Sequence, residues 1–257
     1  MQRIAIVTGA SSGVGAEFVR QFDAGKGGPL DAIWLVSRNK AILEEVAASC
    51  KRIHALPIPC DLTSPEAFSQ LQHLLATHDV VVEWLVNSAG FGKFGDYREV
   101  GISANASMVQ LNCLAVVQTT SIALEHMHKG SRIINLSSIA GAIPQSMLAT
   151  YSATKAFVLE LSQMLNHELG PSGIHVTAVC PKFMHTKFLD NPGSSAAAEG
   201  MCRIGFEEVE SVVAKALRSS LAGRSLCIPS PDMKFARIVA HLIPRTLLFK
   251  VEDTLFR

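Results

Sequence analysis

Tyr151 and Lys155 stand four residues apart in the run Tyr151-Ser152-Ala153-Thr154-Lys155. That spacing puts both side chains on one face of an α-helix. A phenol is a weak acid, with a pKa of about 10. A cation beside it favours the phenolate and is expected to draw that pKa down toward the working range. The pair is then suited to give a proton to a carbonyl oxygen or to take one from an alcohol. Alone, a Tyr–Lys pair is an ordinary helix-surface contact, so the reading depends on what accompanies it.

Near the start of the chain, Thr8-Gly9-Ala10-Ser11-Ser12-Gly13-Val14-Gly15 follows the apolar run Ile4–Val7. Glycines so placed allow a tight turn and a close backbone approach to a pyrophosphate. The helix start behind them offers free N–H groups and a positive dipole end. Gly9, Ser11, Ser12, Gly13, Val14 and Gly15 are therefore the expected phosphate-binding residues of a dinucleotide site. The next apolar run ends in Ser37-Arg38-Asn39, without the carboxylate that usually meets a free ribose 2′-hydroxyl. A guanidinium suits a 2′-phosphate and can stack on adenine. Ser37, Arg38 and Asn39 thus favour NADP(H) over NAD(H), unless Arg38 is merely a solvated residue at a helix start.

Groups so far apart in the chain need a scaffold to bring them together. Strands are expected at 3–8, 32–36, 53–58, 81–86, 132–136, 174–179 and 225–228. Helices are expected near 13–24, 39–50, 64–77, 103–128, 149–169 and 206–222. The strands read as nearly continuous apolar runs, the mark of burial on both faces. The alternation of strand and helix implies right-handed crossovers and a parallel sheet with helices on both sides. The expected fold is therefore α/β, a Rossmann-type doubly wound parallel sheet in three layers. It forms one catalytic domain over residues 1–230, with a loop at 182–205, followed by a helical tail at 231–257.

The chain has 257 residues, 48% hydrophobic and 18% charged, enough to bury a sizeable core. A net charge of +1 does not indicate a strongly basic surface for nucleic acid and leaves room only for a local patch. The six cysteines lack CxxC spacing and the nine histidines lack ligand spacing, so neither zinc, another metal nor a disulfide framework is expected. Buried reduced thiols in a cytoplasmic protein are the better reading. The N-terminal stretch has neither the length nor the cleavage site of a signal peptide, and no unbroken apolar run reaches the roughly 18 residues of a membrane span.

The glycine loop, Asn87-Ser88-Ala89-Gly90, Asn112, Ser137-Ser138 and Tyr151…Lys155 occur in an order and at spacings that resemble the short-chain dehydrogenase/reductase family over about residues 3–187. The resemblance implies a catalytic set of Ser138, Tyr151, Lys155 and Asn112. Ser138 would hydrogen-bond the substrate oxygen, Lys155 would also hold the nicotinamide ribose, and Asn112 would hold a water in the proton relay. It further implies that Asp61 and Leu62 border the adenine and that Asn87, Ala89 and Gly90 line the cofactor channel. Pro181 and Thr186 would face the nicotinamide end. In reduction, Ser138 and Tyr151 would donate to the oxygen as charge grows on it. A homodimer or homotetramer is also implied.

Two features depart from that pattern. Ser88 stands where a second asparagine is usual, a tolerable exchange for a hydroxyl. Lys182 follows Pro181 where glycine is usual; it either points to solvent or meets an anionic substrate group. The tail mixes apolar residues with Lys234, Arg237, Arg245, Lys250 and Arg257. It is read as packing on its own domain or a second subunit, covering the substrate pocket, or touching a membrane surface. The small, apolar composition of 182–205 favours a lipophilic carbonyl or alcohol over a sugar. A catalytically silent, cofactor-binding regulator of the same fold is the competing reading, which the presence of Ser138, Tyr151 and Lys155 opposes.

Overall fold

The computed structural model of the protein describes residues 1–143, 145–184, 205–244 and 246–250. Seven parallel strands form one sheet in the order β3-β2-β1-β4-β5-β6-β7. They are β1 (Gln2–Thr8), β2 (Ala32–Ser37), β3 (His54–Pro59), β4 (Val80–Asn87), β5 (Arg132–Leu136), β6 (His175–Val179) and β7 (Leu226–Cys227). Every expected strand is present. Their continuous apolar character has a direct cause: side chains alternate between two buried faces. In β1, Ala5 and Val7 enter one core, whereas Ile4 and Ile6 enter the other.

The helices divide accordingly. On one face lie α1 (Gly13–Asp23), α2 (Lys40–Ser49) and α8 (Val209–Leu221). Phe18, Phe22, Leu43, Val213 and Leu217 pack there against β1, β2 and β5. On the other face lie α3 (Pro65–Thr77), α5 (Ala115–Leu124) and the long α7 (Ala149–Leu169), which contribute Phe68, Leu71, Leu75, Ile122, Leu165 and Leu169. Each fully buried Leu, Ile or Phe is worth about 1.5–3 kcal/mol, and this two-sided burial holds the three layers together. A short α6 (Ile139–Ala142) precedes α7, and α9 (Pro231–Leu242) opens the tail.

One helix begins earlier than its sequence pattern implies. Instead of starting near residue 103, α4 runs from Tyr97 to Val109, behind Asp96, whose side chain accepts from Arg98 N at 3.0 Å. Gly101, at φ 80°, breaks its first turn and conceals it from periodicity. A π-helical turn, Gln110–Leu114, then joins α4 to α5. The stretch Tyr97–Leu124 has the length and apolarity to cross a bilayer. It nevertheless buries Asn112, Thr119 and Thr120 against the domain, as a helix serving a polar site does. Five cysteines, Cys50, Cys60, Cys113, Cys180 and Cys227, are free thiols.

β1 is followed outward by β2, whereas β4 lies on its other side. The direction of winding reverses there, and the crevice beyond the strand ends at such a point is where α/β sheets bind ligands.

Candidate active site

The C-terminal strand ends open onto one cavity of about 390 Å³, reaching from Arg38 at one end to Tyr151 and Lys155 at the other. Gly9, Ser11, Ser12, Gly13 and Val14 form its floor at the start of α1. The three glycines have separate tasks. Gly9 sits at φ +68°, and a Cβ there would lie 2.9 Å from Ala89 Cα. Gly13 takes φ 53° to turn the chain into the helix. Gly15 lies off the wall; a Cβ on it would come within 2.2 Å of Gly9 O, so its role is to let helix and loop touch. Ser12 precedes α1 and makes no side-chain cap, which leaves its hydroxyl and the helix N-terminus to an anionic group. Ser37 Oγ donates to Ser11 Oγ at 2.9 Å. A backbone cradle of this shape, with open N–H groups, fits the pyrophosphate of a dinucleotide.

At the far end, Arg38 is exposed on the rim. Asn39 lies off the wall and caps α2, accepting from Ile42 N at 3.2 Å. Asp61 Oδ1 accepts from Thr63 N at 2.9 Å and from Thr63 Oγ at 2.7 Å. Those bonds, the backbone one foremost, hold its carboxyl below the usual range, and the Arg38 charge acts in the same direction. Leu62 is buried and joins the wall beside it.

Ala89 and Gly90 line the cavity, whereas Asn87 and Asn112 lie behind it. Asn87 is saturated: its Nδ2 donates to Asn135 Oδ1 at 2.9 Å and Thr120 Oγ at 3.1 Å, and its Oδ1 accepts from Thr119 Oγ at 2.7 Å. Asn135 Nδ2 continues to Ser162 Oγ at 2.9 Å. This buried chain ties α5, β4, β5 and α7 together and so fixes the helix that carries Tyr151. Asn112, fully buried in the π-helical turn, accepts from Phe91 N at 3.0 Å. Its Nδ2 donates to Phe91 O at 2.9 Å and Thr154 Oγ at 3.1 Å. One amide proton therefore braces the wall segment at Phe91 and the other ties it to Thr154 on α7.

Ser138, Tyr151 and Lys155 meet at the end of the cavity under β5 and β6. Ser138 begins α6, accepting from Ala140 N at 3.2 Å, and its hydroxyl also hydrogen-bonds the Tyr151 phenol. Lys155 Nζ donates to Leu136 O at 2.7 Å and lies 5.6 Å from the Tyr151 ring centre. Ser137 Oγ donates to Lys155 O at 2.7 Å. Gly141, a residue the motif reading passed over, lets α6 press on α7; a Cβ there would strike Lys155 O at 2.5 Å. Thr8, also passed over, joins the two ends of the floor by accepting from Ser88 N and Ala89 N, each at 3.1 Å.

The electrostatics correct one expectation. Burial pushes the Tyr151 phenol up to about 12, opposed by the Ser138 hydrogen bond, rather than Lys155 drawing it down. The ring packs against Phe94 and Leu148, as do Phe183 and Phe206, and desolvation outweighs a cation held over the ring face. Burial likewise pushes Lys155 down to about 8.

Pro181 lines the cavity, and its carbonyl accepts from Ile139 N at 2.9 Å. Thr186 and most of the 182–205 loop lie outside the described residues. Lys182 is neither solvated nor left for a substrate anion. Its side chain is 12% exposed and pairs with Asp232 at 2.9 Å, while Lys182 N donates to Glu207 Oε2 at 2.9 Å. Sequence spacing of 50 residues hid that partner.

Comparison with known proteins agrees with this geometry. The family model for short chain dehydrogenases matches residues 3–196. The human very-long-chain 3-oxoacyl-CoA reductase is 31% identical over 192 residues, covering 71% of this chain and 60% of that enzyme's length. A short-chain dehydrogenase from Sphingobium yanoikuyae, solved in complex with NADPH, superposes with a TM-score of 0.78 at 26% identity over 94% of each chain. A short-chain dehydrogenase/reductase from Burkholderia phymatum, solved with NAD, gives a TM-score of 0.81 at 20% identity over 94% of this chain and 93% of that one, a likeness of fold.

Proposed function

Since the chain belongs to the short-chain dehydrogenase/reductase family of oxidoreductases, we propose that it uses NADP(H) to interconvert a lipophilic ketone and its secondary alcohol. The observation that carries this reading is the convergence of Ser138, Tyr151 and Lys155 at one end of a cavity whose other end is a glycine cradle. A nicotinamide bound there would supply or accept the hydride; Gly9, Ser11, Ser12, Gly13 and Val14 would hold its pyrophosphate, and Ala89, Gly90 and Pro181 would form the wall along it.

This chain's own residues handle the oxygen and the proton. Ser138 and Tyr151 donate hydrogen bonds to the substrate oxygen as it gains charge. The phenol, pushed up to about 12 by burial, is protonated at neutral pH and so carries the proton that the acid role in reduction requires. Ser138 also supports the phenolate that remains once the proton has left. Lys155, at about 8, is still mostly charged at pH 7 and stabilises that phenolate as a nearby cation. Asn112 positions Phe91, and through Thr154 it steadies the turn of α7 that bears Tyr151.

Cofactor choice rests on Arg38. It stands on the rim with no carboxylate beside it on β2 or at the start of α2, and Asp61 already receives two hydrogen bonds from Thr63. A 2′-phosphate fits that surrounding better than a bare hydroxyl. The lipophilic substrate is supported by the apolar cluster of Phe94 and Leu148, against which Tyr151, Phe183 and Phe206 pack, and the human relative's name, with its long acyl chain, points the same way. Exposed Val109, Leu114, Phe157 and Met164 on α4, the π-helical turn and α7 support a homo-oligomer. The test is NADPH and NADH oxidation against a panel of ketones. kcat/KM should be at least about tenfold higher with NADPH, and equal or better efficiency with NADH would overturn the cofactor assignment.

A further inference from the structure

The tail helix α9 carries a face that the fold leaves uncovered. Phe235, Ile238 and Leu242 are 69%, 60% and 79% exposed, and Val239 lies among them. Their spacing of three and four residues makes one stripe. At about 100° per residue this stripe lies opposite Met233, Ala236 and Ala240, the partly covered side on which Met233 packs against the cluster of Leu159, Ala178, Cys180 and Ile228. The helix is thus seated on the domain by one side and shows its apolar side outward.

Its charges are one-sided. From Met233 to Lys250 the sequence has Lys234, Arg237, Arg245 and Lys250 and no Asp or Glu, with Glu252 and Asp253 just beyond; Lys234 and Lys250 are exposed, whereas Arg237 is half-buried on the seated side of the helix. The single carboxylate of α9, Asp232, is taken by Lys182. The net charge of +1 for the whole chain makes this local excess of cations distinctive. A basic helix with an outward apolar stripe is the form that lies in a bilayer interface, its apolar side among the acyl chains and its cations at anionic headgroups. A second copy of the chain fits less well. Twelve residues make a helix about 18 Å long, and a stripe about 10 Å wide offers about 180 Å², far below the roughly 800 Å² per partner of a stable interface.

We propose that α9 docks this protein on an anionic membrane surface. The same helix is clasped to the cleft. Lys182 lines the cavity and pairs with Asp232, and Ser230 Oγ, at the start of α9, donates to Glu207 Oε1 at 2.5 Å, while Glu207 Oε2 holds Lys182 N. Docking through α9 therefore brings the catalytic end of the cavity to the bilayer, where lipophilic ketones partition.

The experiment is flotation of the full-length protein with vesicles of phosphatidylcholine alone and of equal parts phosphatidylcholine and phosphatidylglycerol. Wild type is expected to bind the anionic vesicles, and to bind them less as salt rises. Phe235→Ser combined with Leu242→Ser should weaken binding at least about a hundredfold, with reductase activity on a water-soluble ketone unchanged. Lys234→Gln should weaken binding to anionic vesicles about fivefold. Ile102→Ser, at an equally exposed apolar site on α4, should change nothing. Wild type that fails to float, a double variant that floats as well as wild type, or Ile102→Ser losing binding equally would overturn the proposal. So would sedimentation velocity showing that the double variant turns a dimer into a monomer, since the stripe would then belong to a second copy.

Discussion

Replacing Asn112 with leucine tests whether the wall of the cleft is braced from behind. The exchange keeps size and branching but removes every hydrogen bond of the amide. Phe91 N, which donates at 3.0 Å, and Phe91 O, which accepts at 2.9 Å, both lose their partner. Thr154 Oγ keeps its 2.7 Å bond to Tyr151 O and so contributes little to the loss. A buried polar group left unpaired costs about 1–3 kcal/mol. Phe91 is half-buried, so water reaches part of its backbone, and the two groups together should cost about 2–4 kcal/mol. With a urea m-value of about 3 kcal/mol/M, the midpoint should fall by about 1 M. Buried Trp34 and Trp84 report the transition by fluorescence. The displaced Phe91 segment should also weaken NADPH binding, because Phe91 lines the cavity. A midpoint within about 0.3 M of wild type, with unchanged NADPH affinity, would refute the bracing role.

Three further outcomes follow from the same geometry. Arg38→Ala should raise the KM for NADPH by about 10- to 100-fold, the worth of a charge-assisted contact, and leave the KM for NADH nearly unchanged; equal effects on both would mean that Arg38 does not read the 2′-position. Gly9→Ala forces a side chain to φ +68° and to 2.9 Å from Ala89 Cα; cofactor binding measured by calorimetry should fall at least about tenfold, at a cost in stability of about 1–3 kcal/mol. Lys155, depressed to about 8 in the fold, keeps its proton to about pH 10.4 in the unfolded chain. Between those values the unfolded state binds more protons, so this residue's contribution to stability rises with pH. The stability difference between wild type and Lys155→Met, followed by urea unfolding, should therefore move in favour of wild type from pH 8 to 10, and a flat difference would contradict the assigned burial effect. Over the same range the charge lost from Lys155 should lower kcat/KM for carbonyl reduction.

Much of this arrangement is legible in the sequence because it rests on local rules. Gly9 and Gly13 are needed for positive φ, the strands are continuous because both faces are buried, and Tyr151 and Lys155 share a face because they are one turn apart. What escaped depends on distance or on summed surroundings. The Asn87–Asn135–Ser162 chain joins residues up to 48 apart, and the motif that marks Asn87 says nothing of Asn135 or Ser162. Lys182 looked like an awkward substitute for glycine until Asp232 was found beside it. The Tyr151 phenol moved against expectation because a neighbouring cation is visible in the sequence and a surrounding apolar cluster is not. The first turn of α4 was lost because Gly101 interrupts its pattern.

In the proposed mechanism the Tyr151 phenol delivers the proton at a site where the cofactor binds independently of it. Tyr151→Phe keeps the ring packed on Phe94 and Leu148 and removes only the hydroxyl. Measured side by side, NADPH affinity should stay within about threefold of wild type, while kcat for the best ketone of the panel should fall by about 10²- to 10⁴-fold. A variant that binds NADPH normally and still reduces the ketone at a rate close to wild type would contradict the account.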